Sequence, residues 1–415
     1  MSVANGEVPP SRLKGKFAAI FVCWLLGNGC LLCWNSMLTI EDYYTTLFPD
    51  YHSSRVLTLV YQPFDFIPLA ILTYYEAKIN TRLRNLVGYS LFVISAFMVL
   101  VINLATHGKG GIGTFIGICV FSAAFGLADA LAQGGMIGDL SFMPPVLLQS
   151  FLAGLAASGV LTSGLRLITK AAFESSSDGL RKGALLFFAI SASFSLMCVL
   201  LYAFVFPKLP IVKYYRSKAA KEGSKTVTAD LAAVGIHQQV NEVDDDLKDV
   251  SRWSTKELFL QNIDYALDLF LIYLLTLSIF PGFLSEDTGS HKLGSWYALV
   301  LIAMYNVWDL IGRYVPLLVM LKSRKGLMAA ILARFLFIPC FYFTAKYGDQ
   351  GYMILLTSVL GLSNGYLTVC VLTTAPEGYK GPEQNALGNI LIMCLVAGIF
   401  LGVTSDWLWL IGKGW

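Results

Sequence analysis

The sequence predicts an all-α integral membrane protein of about eleven transmembrane helices. Three observations carry that prediction. Of 415 residues, 56% are hydrophobic and 14% charged, where a soluble domain carries roughly 45–50% apolar and about 25% charged residues. The apolar residues gather in blocks of about twenty, the length that crosses a hydrocarbon core roughly 30 Å thick. Lysine and arginine collect in alternate connections between those blocks, the pattern that orients membrane helices.

Taken in order, Arg12, Lys14 and Lys16 precede an apolar run from Phe17 to Ile40. That run is longer than a signal-peptide core and no small-residue cleavage site follows it, so it reads as a first span. Further spans follow at Val56–Tyr75, Asn85–Ala105, Thr114–Ile137, Leu147–Ile168 and Gly183–Phe206. After a polar loop come Leu258–Leu284, Ser295–Leu321, Leu327–Ala345, Gly351–Thr373 and Ala386–Leu410. The chain therefore divides into a tail (1–16), a six-helix bundle (17–206), a loop (207–257) and a five-helix bundle (258–415).

One set of connections holds Arg12, Lys14, Lys16, Lys78, Arg82, Arg84, Lys322, Arg324 and Lys325. The loop shares that side, with Lys208, Lys213, Arg216, Lys218, Lys221 and Lys225. The other set is sparse in basic residues, Arg181 and Lys182 excepted. The positive-inside rule makes the N-terminus cytoplasmic, and an odd span count puts Trp415 outside. The loop turns acidic at Glu242, Asp244, Asp245 and Asp246; such a segment cannot bury a core and reads as a solvated linker. Gly154, Gly159 and Gly164 with Ala153, Ala156 and Ala157 in span five, and Gly398-x-x-x-Gly402 in span eleven, mark tight helix packing.

The net charge of +3 is too small to suggest nucleic acid. All eight cysteines fall in apolar stretches, which argues against a disulfide framework. Cys30 and Cys33 form a C-x-x-C, but redox use needs exposed low-pKa thiols that lipid does not offer. The four histidines, His52, His107, His237 and His291, lie in polar connections. No metal site, cofactor or catalytic residue is expected.

Ionisable residues at bilayer depth are costly and usually paired or turned toward a cavity. Span eight carries Asn306, Asp309 and Arg313 at i, i+3 and i+7, one helix face. That stripe reads either as a structural ion pair, with Arg313 snorkelling to the surface, or as a binding surface. Three strong hydrogen-bonding groups favour a polar solute over a fatty one. Trp34 and Asn35 in span one read as an interfacial anchor or a site. Asp129 and Gln133 are four apart in span four, and Asp65 follows Gln62-Pro63, where a kink is expected. Asp264 and Asp268 read as near-interface residues, and Ser363-Asn364-Gly365 as an interruption of span ten.

Several of these strings resemble the equilibrative nucleoside transporter family, most closely its plant members. Tyr305-Asn306-Val307-Trp308-Asp309-Leu310-Ile311-Gly312-Arg313 is similar to the family's F-N-x-x-D-x-x-G-R signature. Gly29, Trp34 and Asn35 in span one, Gln133-Gly134 in span four and Leu152-Ala153-Gly154 in span five also match. So do Arg334 and Pro339 in span nine and Ser363-Asn364-Gly365-Tyr366 in span ten. The resemblance implies a major-facilitator-like 6+5 arrangement around a central cavity and nucleosides, such as adenosine and uridine, as substrates. It places Trp34, Leu38, Gln133, Asp309 and Arg313 in that cavity, with Asp309 and Arg313 on the ribose hydroxyls and Gln133 on the base. Physics agrees: a vicinal diol suits an acceptor–donor pair, and a side-chain amide can pair with a base edge. Asp129 stands where animal members that work without a proton typically carry glycine, and Leu38 where methionine is common.

The expected function is nucleoside transport by alternating access, with import coupled to H+ through Asp129 or Asp65. A monomer in the plasma membrane is expected. A facilitator for another polar solute, such as a sugar, is the alternative. An intramembrane enzyme would want a histidine beside a span, or two facing carboxylates with G-x-G-D; Gly138-Asp139 lacks the leading glycine.

Overall fold

The computed structural model describes residues 15–74, 80–141, 143–176, 178–218, 255–286, 292–347, 350–379 and 381–411. Arg12, Lys14, Lys78, Lys221, Lys225, His237, His291, the acidic run from Glu242 to Asp246 and Trp415 lie outside them.

Among the described residues, eleven helical segments are long and apolar enough to cross a membrane. We number them α1 (Lys16–Thr39), α2 (Ser53–Tyr74), α3 (Thr81–Ala105), α4 (Ile112–Ser141), α5 (Pro145–Phe173), α6 (Gly179–Leu200), α7 (Ile263–Leu277), α8 (Tyr297–Tyr314), α9 (Arg324–Tyr347), α10 (Gln350–Thr374) and α11 (Gly381–Asp406). No strand occurs among the described residues. In hydrocarbon every backbone group must be satisfied within its own segment, and the helix does this.

Caps follow the sequence. Asn80 accepts from Arg82 N (3.0 Å) and Leu83 N (3.2 Å) to start α3, Ser323 accepts from Gly326 N to start α9, and Pro145 opens α5 with a missing N–H that a first turn does not need. Span seven, expected as one helix, is three pieces: Thr255–Gln261, α7 and Gly282–Glu286. Asn262 and the turn around Pro281 divide them. Pro339 leaves Phe335 O without its helical donor, and α9 tightens to a 3₁₀ turn at Arg334–Leu336. By contrast, α2 stays helical through Pro63 and Pro68, and α10 runs unbroken through Ser363-Asn364-Gly365.

Among the first six spans, α1 packs on α5 and α6, and α4 on α2 and α3. Among the last five, α8 packs on α10 and α11 on α7. Two seams, α5 with α8 and α2 with α11, join the sets. Small residues set these distances. A Cβ at Gly154 would overlap Trp24 O and lie 2.9 Å from Asn28 N, and one at Gly365 would overlap Asp309 O. Backbones that close gain dispersion contacts that lipid cannot match.

Polar ties between the two sets gather at one end, the face away from the basic connections. There Arg55, at the start of α2, is fully buried. Its Nη1 donates to Glu286 Oε2 (2.7 Å) and its Nε to Asp406 Oδ2 (3.1 Å). Across the molecule Lys170 Nζ, paired to Asp42 (2.8 Å), donates to Ser295 O (2.6 Å), and Trp296 Nε1 donates to Glu174 Oε1.

Candidate functional site

Two polar clusters occur, one on each set of helices, and of the residues that the resemblance placed in one cavity only Gln133 lines the cavity described below. On the first, Trp34 of α1 is 8% exposed and stacks on Tyr61 of α2, ring centroids 3.9 Å apart. An interfacial anchor would keep one edge in water, so that reading of Trp34 falls away. Leu38, one turn on, is buried, and Asn35 donates to Ser158 Oγ at 2.6 Å. Tyr61 Oη donates to Asp129 Oδ2 at 2.6 Å. The other oxygen of Asp129 and Oε1 of Gln133, one turn further, are buried with no hydrogen-bond partner. A buried polar atom left unpaired costs about 1–3 kcal/mol, so both acceptors are set up to receive a donor.

These acceptors line a cavity of about 550 Å³, its open mouth included, between α2, α3, α4 and α11. Asp65, Asp129 and Gln133 meet Asn389 and Met393 of α11 there. Arg84, expected in a basic connection, is instead buried on the cavity wall. Its Nη2 donates to Ala130 O (2.8 Å) and its Nε to Leu131 O (3.1 Å), over Gly134.

The second cluster is the α8 stripe. Arg313 Nε donates to Asp309 Oδ2 at 2.9 Å, and Asn364 Nδ2 of α10 donates to Asp309 Oδ1 at 2.7 Å. Thr276 of α7 donates to Asn364 Oδ1 (2.8 Å). Arg334 of α9 donates through Nη2 to Thr276 Oγ1 (2.8 Å), through Nε to Ser363 Oγ (3.0 Å) and through Nη1 to Ile272 O (3.2 Å). A fully connected buried network of this kind fixes its members in place. Arg313 remains about a quarter exposed at its side chain.

Asn306 behaves differently from its two stripe partners. Its Nδ2 crosses the α5–α8 seam to Ser163 Oγ at 2.9 Å, against Gly159. The structure thus brings Trp34, Asp129, Gln133 and Asp65 together, and Asp309 with Arg313. Asn306 ties one set of helices to the other. Asp264 pairs with Arg324 at the surface, whereas Asp268 is fully buried with neither carboxylate oxygen partnered. Sequence reasoning missed Tyr61, Thr276 and Asn389. Their only signal was position: Tyr61 lies four residues before Asp65, and Asn389 is the lone amide of the apolar stretch Ala386–Leu410.

Eleven spanning helices, an inter-bundle cavity lined by buried polar groups and a tied opposite face define a polytopic carrier. Two solved transporters share the architecture. The D-xylose–proton symporter matches with a TM-score of 0.60 at 15% identity, covering 94% of this chain and 89% of its own. The nucleoside transporter NupG matches with a TM-score of 0.53 at 13% identity, covering 94% and 90%. These likenesses establish the major-facilitator fold. A family profile described as "Nucleoside transporter" matches residues 116–411. Equilibrative nucleotide transporter 3 of Arabidopsis thaliana is 67% identical over 407 residues, 98% of this chain and 97% of its own. Equilibrative nucleotide transporter 1 of the same plant is 34% identical, covering 95% of this chain and 86% of its own. The chain belongs to the nucleoside transporter family. It is a multi-pass membrane transporter and not an enzyme.

Proposed function

We propose that the chain carries nucleosides, purine and pyrimidine alike, by alternating access between its six-helix (17–206) and five-helix (258–415) bundles, as a monomer in the plasma membrane. The observation that supports this most is the Asp309–Arg313 pair, held from outside by Asn364 with the Arg313 side chain about a quarter exposed. One acceptor and one donor, fixed in place, match the two hydroxyls of a ribose. Gln133 and Trp34 face a base by hydrogen bond and ring contact, Leu38 adds an apolar wall, and Asn306 holds the seam shut at mid-membrane.

Relatives carry "nucleotide" in their names, but the cavity chemistry favours the uncharged nucleoside. Asp65 and Asp129 line it, and a phosphate monoester would bring a further −1.5 to −2 charges, roughly, against them. Arg84 is engaged with two backbone carbonyls. The tied face is the exoplasmic one, given a cytoplasmic N-terminus, so this conformation opens inward. Asp129, with Asp65 as second candidate, carries a coupled proton. A neutral solute gains nothing from the membrane potential, whereas a co-transported proton adds about 2.3 kcal/mol per 100 mV.

Uptake of labelled adenosine, measured at two external pH values with and without a protonophore, tests both parts. The expectation is competition by uridine, none by hexose or AMP, and faster uptake in acid that the protonophore removes. Competition by hexose alone would replace the substrate assignment. Uptake indifferent to pH and protonophore would remove the coupling.

A further inference from the structure

The tied face holds a charge imbalance that substrate binding does not use. Two carboxyl groups share one arginine there, and a third lies beside one of them. Arg55 binds Glu286 (2.7 Å) and Asp406 (3.1 Å), and His52 Nδ1 approaches the same Glu286 oxygen at 2.9 Å. Asp406 Oδ1 also accepts from Phe283 N at 3.1 Å. Gly282 fits under this clasp because a Cβ would overlap Asp406 Oδ2.

The third carboxyl is Glu41, in the short helix Glu41–Leu47 between α1 and α2, and it is buried. Its own helix supplies Thr45 Oγ1 (3.4 Å) and the Tyr44 phenol. From the start of α2 come Ser53 Oγ, which donates to Glu41 Oε1, and the Ser54 backbone. From Gly282–Glu286 comes the Glu286 carboxylate. The neighbouring Asp42 turns to Arg166 Nη2 (2.9 Å) and Lys170. No cation is paired with Glu41 among the described residues. Glu286 Oε1 is buried without a partner.

We propose that Glu41, buried beside Glu286 beneath the Arg55 clasp, is a proton-binding site whose occupancy the closed clasp requires. The proton is thus a ligand of the closed face, taken up as the clasp shuts and returned to the same side as it opens. It is distinct from any proton that crosses with substrate. The inference rests on the alternating-access reading, because it needs a second state in which the clasp is open.

The physical basis is desolvation. Closing the clasp strips water from Glu41 and places it near the charge of Glu286; burial above all, opposed by the Ser53 hydrogen bond and aided by that charge, pushes its carboxyl up to about 8. In the open, hydrated state a glutamic acid titrates near about 4.3. A carboxyl raised in one state favours that state below the lower value and ceases to favour it above the higher one. Closure is therefore most favoured in acid. It weakens by up to about tenfold per pH unit as pH rises between those values.

The test reads the clasp and not transport. Cysteines at the exposed positions Asp50 and Leu408, in a Cys340→Ser background, carry spin labels whose separation reports the clasp in proteoliposomes at equal pH on both sides. Raising pH from 6 to 8 should transfer population from a short to a longer distance. Glu41→Gln, which keeps the shape and removes the proton, should hold the short distance at every pH. Appearance of that short distance also shows that the variant folds. The same titration in Glu41→Gln, or none in the parent, overturns the site. A single distance at every pH, with and without adenosine, would instead overturn the two-state carrier on which the site depends.

Discussion

Asp309 has its two oxygens divided between a partner on its own helix, Arg313, and one on α10, Asn364. That division bears on whether the pair stabilises the fold or binds a solute. A structural pair gains most when both partners are enclosed and saturated. Here Asn364 is tied deep into the Thr276–Arg334 network, while the Arg313 side chain stays partly exposed. We therefore expect Asp309→Asn and Arg313→Gln to abolish uptake while the protein still reaches the membrane. Each hydrogen bond to a charged group is worth about 1.5–3 kcal/mol, so affinity for the natural nucleoside should fall by roughly ten- to a hundredfold. A 2′,3′-dideoxynucleoside should lose much less, because it never made those bonds. Equal losses for the two ligands, measured by competition against labelled adenosine, would mark the pair as structural.

At the scale of elements, α1 on α5 and α8 on α10 are held by glycines at which one backbone touches another. Gly154→Ala would push a methyl into Trp24 O, and overpacking costs about 1–3 kcal/mol. Gly164, in the same helix, has nothing within 4 Å of where its Cβ would stand. Replacing it with alanine should be neutral or stabilising by about 0.5–1 kcal/mol. Thermal unfolding of the two variants in detergent should separate them: a lower midpoint for Gly154→Ala and an unchanged or higher one for Gly164→Ala. The same glycines show what a sequence makes legible. Span number and order could be read from apolar block length, because lipid imposes that length. The Asp309–Arg313 pairing could be read from helical spacing alone, since both partners lie on one helix. Contacts between helices could not: Tyr61 on Asp129, Asn364 on Asp309 and Arg84 on the α4 carbonyls depend on how distant spans cross. Periodicity carries no information about that crossing. The break at Asn262 was hidden for a related reason, since Leu258-Phe259-Leu260 of the short helix before α7 read as a continuation of it.

For the whole molecule, the distribution of ties between the two sets of helices is the observation behind the proposed state and motion. Arg55 with Glu286 and Asp406, and Lys170 and Glu174 with Ser295 and Trp296, close one end. Asn306 with Ser163 closes the middle. Toward the basic face, the polar lining of Asp65, Gln133 and Asn389 stands around open volume. Rocking of one bundle against the other would exchange which end is tied, with the site kept near mid-membrane. Such a carrier must return through its cycle after each delivery, and it returns faster loaded than empty when the empty return limits the rate. Proteoliposomes preloaded with unlabelled adenosine should therefore take up labelled adenosine several-fold faster than empty ones at the same external concentration. Uptake that is unchanged or slowed by preloading would contradict alternating access by this chain.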